Sequence, residues 1–451
     1  MTLKSTAIAL SFAATLALTG CGSDKKDPVV DPVVDPVAFV QVKDLPAADK
    51  KAKITTALTT YADAAIKGYE DALKDAKAMK TALTAFTGAP TEATLTSAKK
   101  AWLQARETYG PTEAFRLSGG PIDDEEGYAK KFGFPEGQLN AWPLNESMID
   151  YVTAKDGSVT TGNIIDNATS PLVTFKGQDA ETTTLGGSVD IATINVAMLK
   201  DFTEKDGDAN VATGYHAIEF LLWGQDQDYA GGPIADGITT GNQKAGARTA
   251  ADYTTAANAD RRKEYLIAAA DLIIEDLESM VTAWKTDYKA HLIAQGEAGL
   301  KPIFSGLGVF IKSEVANERM LVSTDGPSEE DEHSCFSDNT HRDVALNYKG
   351  FADVLAIFTA NISKGEKDAV AKLEKSIQTK VDLINTTATM ADGFHYDAQL
   401  NPANNKLKNI TDAAYEMRDL GDEVIKVAAE YGITLSEDDV TDGEESDLPS
   451  S

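Results

Sequence analysis

One short stretch concentrates the residues that could do chemistry. Ala209 to Trp223 reads Ala-Asn-Val-Ala-Thr-Gly-Tyr-His-Ala-Ile-Glu-Phe-Leu-Leu-Trp. Val211, Tyr215, Ile218 and Leu222 recur at helical spacing, and Ala212, Ala217, Phe220, Leu221 and Trp223 cover much of the remaining surface. A helix apolar nearly all round should be buried. Yet it carries His216 and Glu219, three apart and so on one face. An ionised carboxylate in such surroundings must be paired, hydrogen-bonded or bound to a cation. The pair therefore reads either as a satisfied core pair or as part of a metal site. Gly214 costs about 1 kcal/mol relative to alanine in a helix interior. That cost makes sense if something approaches the backbone closely there.

The elements that must position this helix are also helical. Ile54, Leu58, Tyr61, Ala65, Tyr69, Leu73, Ala76, Leu83 and Phe86 fall on one face of a long helix that Gly88-Ala89-Pro90 ends. Thr91 is placed to cap a second helix carrying Leu95, Trp102 and Tyr109. An irregular stretch follows from Ser118 to about Gly187, with short helical pieces such as 146–152, and helices resume near 189–202 and 209–223. A second loop, rich in Gly, Asp and Thr, spans 225–257. Five more amphipathic helices are legible near 260–295, 305–322, 342–362, 366–390 and 407–431. No segment carries a convincing strand pattern. The expectation is an all-α protein with two helical-bundle domains, residues 45–250 containing the His216 helix and residues 251–435, followed by an acidic, disordered tail over 436–451.

The N-terminus is an address. Lys4 precedes an apolar run from Ala7 to Leu18, too short for a comfortable membrane span, and small residues follow. Residues 1–20 read as a signal peptide. Leu18-Thr19-Gly20-Cys21 resembles the bacterial lipobox, in which the cysteine becomes the lipidated first residue. The next residue, Gly22, is not the Asp that retains lipoproteins at the inner membrane, so the expectation is a lipid-anchored envelope protein, with the outer membrane favoured. Residues 21–44 then form a tether, with Asp-Pro-Val-Val repeated from Asp27. Proline at every fourth residue forbids helix, and some 20 extended residues at about 3.1 Å each span roughly 60 Å. If Cys21 carries lipid, Cys335 has no partner among the 2 cysteines of the chain.

The 451 residues carry 42 Lys+Arg against 71 Asp+Glu, a net charge of −29. Nucleic acid is excluded as a partner on this ground, since binding a polyanion needs a basic stripe to release counterions. No Walker loop, dinucleotide fingerprint or haem-attachment motif is present. No His-Glu-x-x-His appears either.

The run Gly214-Tyr215-His216-Ala217-Ile218-Glu219 resembles the Gly-x-His-x-x-Glu motif of the imelysin family, which includes iron-regulated lipoproteins and metallopeptidase-like proteins. Trp102 to Arg116 with Gly-Gly-Pro-Ile-Asp ending at Asp123 fits the same family, as do Ala141-Trp142-Pro143-Leu144 and Ile149-Asp150-Tyr151. His333-Ser334-Cys335-Phe336-Ser337-Asp338-Asn339-Thr340-His341-Arg342-Asp343 is similar to the iron-regulated branch. The likeness runs over about residues 45–435 and implies a two-domain helical fold with its site between the bundles. It implies a divalent metal ion held by His216, Glu219, Glu113 and Asp123, with Gly214 and Arg116 supporting them. Where relatives have a second Glu one turn beyond Glu113, this chain has Leu117, which leaves room for Arg116 to pair with Glu113 or Glu219.

One imidazole with carboxylates suits iron, and also manganese or zinc, better than a thiolate metal. His333, His341 and Asp343 offer either a second metal site, a lining of the first, or a structural junction with Asp338 or Asn339 as helix cap. Three functions remain open on the sequence. The first is an envelope lipoprotein that binds a metal, iron favoured, or a small iron-containing ligand, and works with uptake partners in iron acquisition or homeostasis. The second is a metallopeptidase using the same site. The third is a binding module in which His216 and Glu219 are a buried polar pair.

Overall fold

In α1 (Ala47–Gly88), Leu58, Tyr61, Ala65, Tyr69, Ala72, Ala76, Met79, Leu83 and Phe86 are all buried, a stripe at three- and four-residue spacing. The chain is described by a computed structural model over residues 39–123, 131, 135–153, 158–167, 172–176, 182–205, 210–225, 245–325, 332–388 and 406–442. The signal peptide, Cys21 and the Asp-Pro-Val-Val repeat lie outside these residues. The Thr91 hydroxyl accepts from the Thr94 amide and the Thr94 hydroxyl from the Thr91 amide, a reciprocal cap that starts α2 (Glu92–Tyr109). A 3₁₀ turn, Gly110–Phe115, with Pro111 in its first positions, carries the chain off the end of α2.

Further helices include α3 (Val196–Phe202), α4 (Gly214–Trp223), α5 (Ala259–Ala283), α6 (Leu300–Val309), α7 (Thr340–Thr359), α8 (Lys364–Ala388) and α9 (Lys406–Tyr431), besides short pieces at Glu136–Leu139, Glu146–Ile149, Lys289–Gln295 and Val322–Asp325. Two stretches widen to π geometry: Trp284–Tyr288 after α5, and Phe310–Leu321 after α6. Helix α1 packs on α2 and α5, α4 on α2 and α5, α8 on α9, and α9 on the π stretch. Helices from both halves of the chain thus share one hydrophobic core, and Val40 onward forms one unit. No helix among the described residues is long and apolar enough to cross a membrane.

Three local differences from the sequence reading have physical causes. The irregular region contains a two-stranded antiparallel hairpin, β1 (Leu172–Lys176) with β2 (Thr182–Val189), in which Thr174 faces Thr184 and Phe175 faces Thr183. Its β-branched content favours strands, but the pattern lacks clean alternation. Residues 436–442 of the expected tail are structured, with Ser436 capping a 3₁₀ turn, Glu437–Val440, and Val440 fully buried against Gly308, while 443–451 lie outside the described residues. A single apolar residue docks this otherwise acidic segment. Val42, expected in the tether, is likewise buried.

The third difference concerns α4 itself, which begins at Gly214 rather than Ala209. Gly214 has φ of +81°, and a Cβ there would stand 2.4 Å from the Leu139 carbonyl oxygen. Only glycine fits both constraints. The close approach inferred from sequence is real, and what approaches is the protein's own backbone.

On α5, Asp276 is buried, its Oδ2 has no hydrogen-bond partner, and burial pushes its carboxyl up to about 7 despite nearby Lys200. The folded pKa exceeds the unfolded one, so the folded state holds the proton longer and stability falls as pH rises between about 4 and 7. Asp276→Asn lacks this loss. Its stability advantage over the parent should grow by about 4 kcal/mol from pH 4 to pH 8, at about 1.4 kcal/mol per unit. Urea unfolding at the two pH values measures it, and a gap that stays constant would refute the assignment.

Candidate metal centre

Helix α4 is buried along its entire length, as its composition requires. His216 and Glu219 are 1% and 0% exposed, and the His216 Nδ1 lies 3.0 Å from Glu219 Oε2. The other carboxylate oxygen, Oε1, accepts from the Ser337 amide at 3.0 Å and from the Ser337 hydroxyl at 2.7 Å. Burial pushes the Glu219 carboxyl well above its ordinary range, against the pull of Ser337. Burial and the adjacent His333 ring hold His216 well below the usual imidazole value, so it is neutral. Its Nε2 is buried with no hydrogen-bond partner.

His333 repeats this arrangement. It is 2% exposed, and its Nδ1 lies 2.8 Å from Asp343 Oδ2 on α7. Its Nε2 is also buried and unpaired. The two imidazole rings meet edge to face, with centroids 4.7 Å apart. Asp343 is anchored further by Arg106 from α2, at 3.0 Å, and by the Ser334 hydroxyl. Although burial pushes its carboxyl up, Arg106 and His333 outweigh this and hold it well below the carboxylate range. Burial, with Arg319 nearby, lowers His333.

Glu113 and Asp123 belong to a different cluster. Glu113 Oε1 accepts from Asn140 at 2.8 Å, and its Oε2 pairs with Arg319 at 2.6 Å. Asp123 accepts from the Leu117 amide at 2.8 Å and faces Arg116 at 3.5 Å. Arg116 reaches Glu314 at 3.1 Å and Glu136 at 3.4 Å, with Glu113 more distant at 3.9 Å. Of the two pairings left open for Arg116 on the sequence, it takes Glu113 weakly, and its stronger partners come from elsewhere. Leu117 packs against the core.

The four residues expected as ligands thus divide into the His216–Glu219 pair and two carboxylates tied to arginines. Among the described residues, no three His, Cys, Asp or Glu side chains converge as a preformed metal cage. Asn140 joins the two clusters, since it also accepts from Arg106. His341 lies near Arg342, Asp343, Asp338 and Glu107, and burial lowers it to about 4. Cys335 is buried, as expected. Asp150, from the Ile-Asp-Tyr motif, clamps Arg248 at 2.7 Å and Arg262 at 2.6 Å, a structural role.

A cleft of about 190 Å³ reaches this region from the surface. Arg116, Trp142, Glu314, Glu318, Arg319 and His333 are among the residues lining it. Burial and the neighbouring Glu314 push Glu318 up to about 7. Glu314, Glu318 and Arg319 all sit on the π stretch, a geometry often found at functional sites. Sequence reasoning missed Arg106, Arg319 and Ser337. Arg106 had a readable signal, a charged residue on the buried stripe between Trp102 and Tyr109.

The protein is similar to a crystal structure of a candidate iron-regulated protein A precursor from Parabacteroides distasonis, with a TM-score of 0.55 and 15% identity over 87% of this chain and 100% of that one. No curated protein matches. The sequence model described as Imelysin matches residues 65–422, most of the chain, and the protein belongs to the imelysin family.

Proposed function

We propose that this is an envelope lipoprotein, anchored through Cys21, that binds a divalent metal ion, iron favoured, at the His216 helix and serves iron acquisition or homeostasis. One observation carries the reading. His216 is a buried imidazole whose Nδ1 faces the anchored Glu219 carboxyl and whose Nε2 has no partner among the described residues. Metal-ligating histidines are held in this way, with the carboxylate fixing the ring and its tautomer. A buried polar atom left unpaired costs about 1–3 kcal/mol, which an ion at Nε2 would offset. Imidazole suits iron and zinc. The neighbour described as an iron-regulated protein precursor favours iron.

In this reading His216 is the ligand, and Glu219, both of whose oxygens are engaged, orients it. The chemistry a bound ion would supply is Lewis acidity and, for iron, redox change. The chain's own part is to hold the His216 ring aimed in a buried position. Elemental analysis of the full chain purified without chelator, with anaerobic ferrous titration, tests this. Near-stoichiometric metal is expected in the parent and none in a folded His216→Ala variant. Glu219→Gln should weaken binding about 10–100-fold, as expected for a group behind the ligand. A parent that takes up no metal even after ferrous loading would overturn the proposal.

A further inference from the structure

Two imidazoles, from segments more than a hundred residues apart, meet in the interior with ring centroids 4.7 Å apart, and neither Nε2 has a partner among the described residues. Each has its Nδ1 on a carboxylate that other groups fix: Glu219 by Ser337, and Asp343 by Arg106 and Ser334. When Nδ1 carries the proton toward its carboxylate, the lone pair is left on Nε2. Neither Nε2 meets a backbone carbonyl or the other ring's nitrogen in a hydrogen bond among the described residues. A buried group without a partner calls for an ion or a water.

We propose that His333 is a second metal ligand, its Nε2 acting with that of His216 on one divalent transition-metal ion, and that the cleft lined by His333 is the ion's way in. This rests on the metal reading of His216 and extends it. His333 lines the cleft, whereas His216 lies behind it at 1% exposure. An ion arriving from solvent therefore meets His333 first. The cleft lining carries Glu136, Glu204, Glu314 and Glu318 against Arg116 and Arg319, a net negative balance that attracts cations. Two imidazoles select iron, zinc, copper or nickel over calcium and magnesium. With no third side chain converging among the described residues, the other coordination positions fall to water. Such a site holds its ion less tightly than a closed cage and releases it more readily.

The test is anaerobic titration of the full chain with ferrous and zinc ions, alongside electron paramagnetic resonance of the copper(II)-loaded form. The parent should bind one ion and show two imidazole nitrogens on copper. His216→Ala and His333→Ala should each lose at least about a hundredfold in affinity, beyond the range for groups behind a ligand. Each should show one nitrogen fewer. His333→Asn, which keeps a donor toward Asp343, replaces the alanine variant if that one fails to fold. If His333 variants bind like the parent while His216→Ala does not, or copper shows one nitrogen in the parent, the His333 assignment fails and the His216 reading stands. If the parent binds nothing, both fail and the two Nε2 atoms are bridged by water.

Discussion

Arg106→Met should destabilise the protein by about 3–5 kcal/mol, the usual cost of removing one partner of a buried ion pair. Arg106 and Asp343 are both 0% exposed. Without the guanidinium, Asp343 keeps only neutral His333 and the Ser334 hydroxyl, and Asn140 loses a donor. The charge cannot reach water, and its carboxyl should rise steeply. The guanidinium also lies over the rings of Trp102, Tyr109 and Tyr215, at 5.4–5.8 Å, so packing and cation–π attraction are lost together. Denaturant unfolding of Arg106→Met, Asp343→Asn and the double variant measures the coupling. The double variant should recover part of the loss, because the stranded charge is gone. A single-variant cost under about 1 kcal/mol, the scale of a surface pair, would show that the pair is not desolvated.

The position of Arg106 shows where sequence reading succeeds and where it stops. Helices such as α1 were legible because one face is solvated and the other buried, which writes period 3.6 into the chain. Helix α4 was legible for the opposite reason, being apolar all round with two polar exceptions. The start of α4 was not, because it is set by the Leu139 carbonyl, a contact between distant segments. The hairpin escaped because threonine-rich strands without alternation look like loop. The partners of Glu113 escaped because they lie far along the chain. Arg106 and Asp343 are themselves 237 residues apart. Motif spacing brought His216 and Glu219 together correctly, since three residues on one helix fix their geometry. It grouped Glu113 and Asp123 with them through family resemblance alone, and the fold gives those two carboxylates to arginines.

That division leads to a result that separates structural from ligating carboxylates. Glu113→Gln should cost about 3–5 kcal/mol of stability, as for other broken buried pairs. The folded variant should bind ferrous ion within a few-fold of the parent. Glu113 is 0% exposed, and its two oxygens serve Asn140 and Arg319. The amide can still meet one of these but brings no charge to Arg319, which is left with Glu314 at 3.2 Å and the neutral Asn347 side chain. Glu314 is shared with Arg116, so two guanidiniums would compete for one carboxylate. Metal affinity is expected to hold because neither Glu113 oxygen serves His216 or His333, Arg106 and Asp343 remain paired behind His333, and Arg319, which lies near His333, keeps its charge with or without Glu113. The contrast with Glu219→Gln, which should weaken metal far more than it affects folding, is what makes the measurement decisive. If Glu113→Gln instead abolished metal uptake while leaving the unfolding midpoint in place, Glu113 would be a ligand. The buried arginine pair would then be an arrangement that the ion displaces on binding.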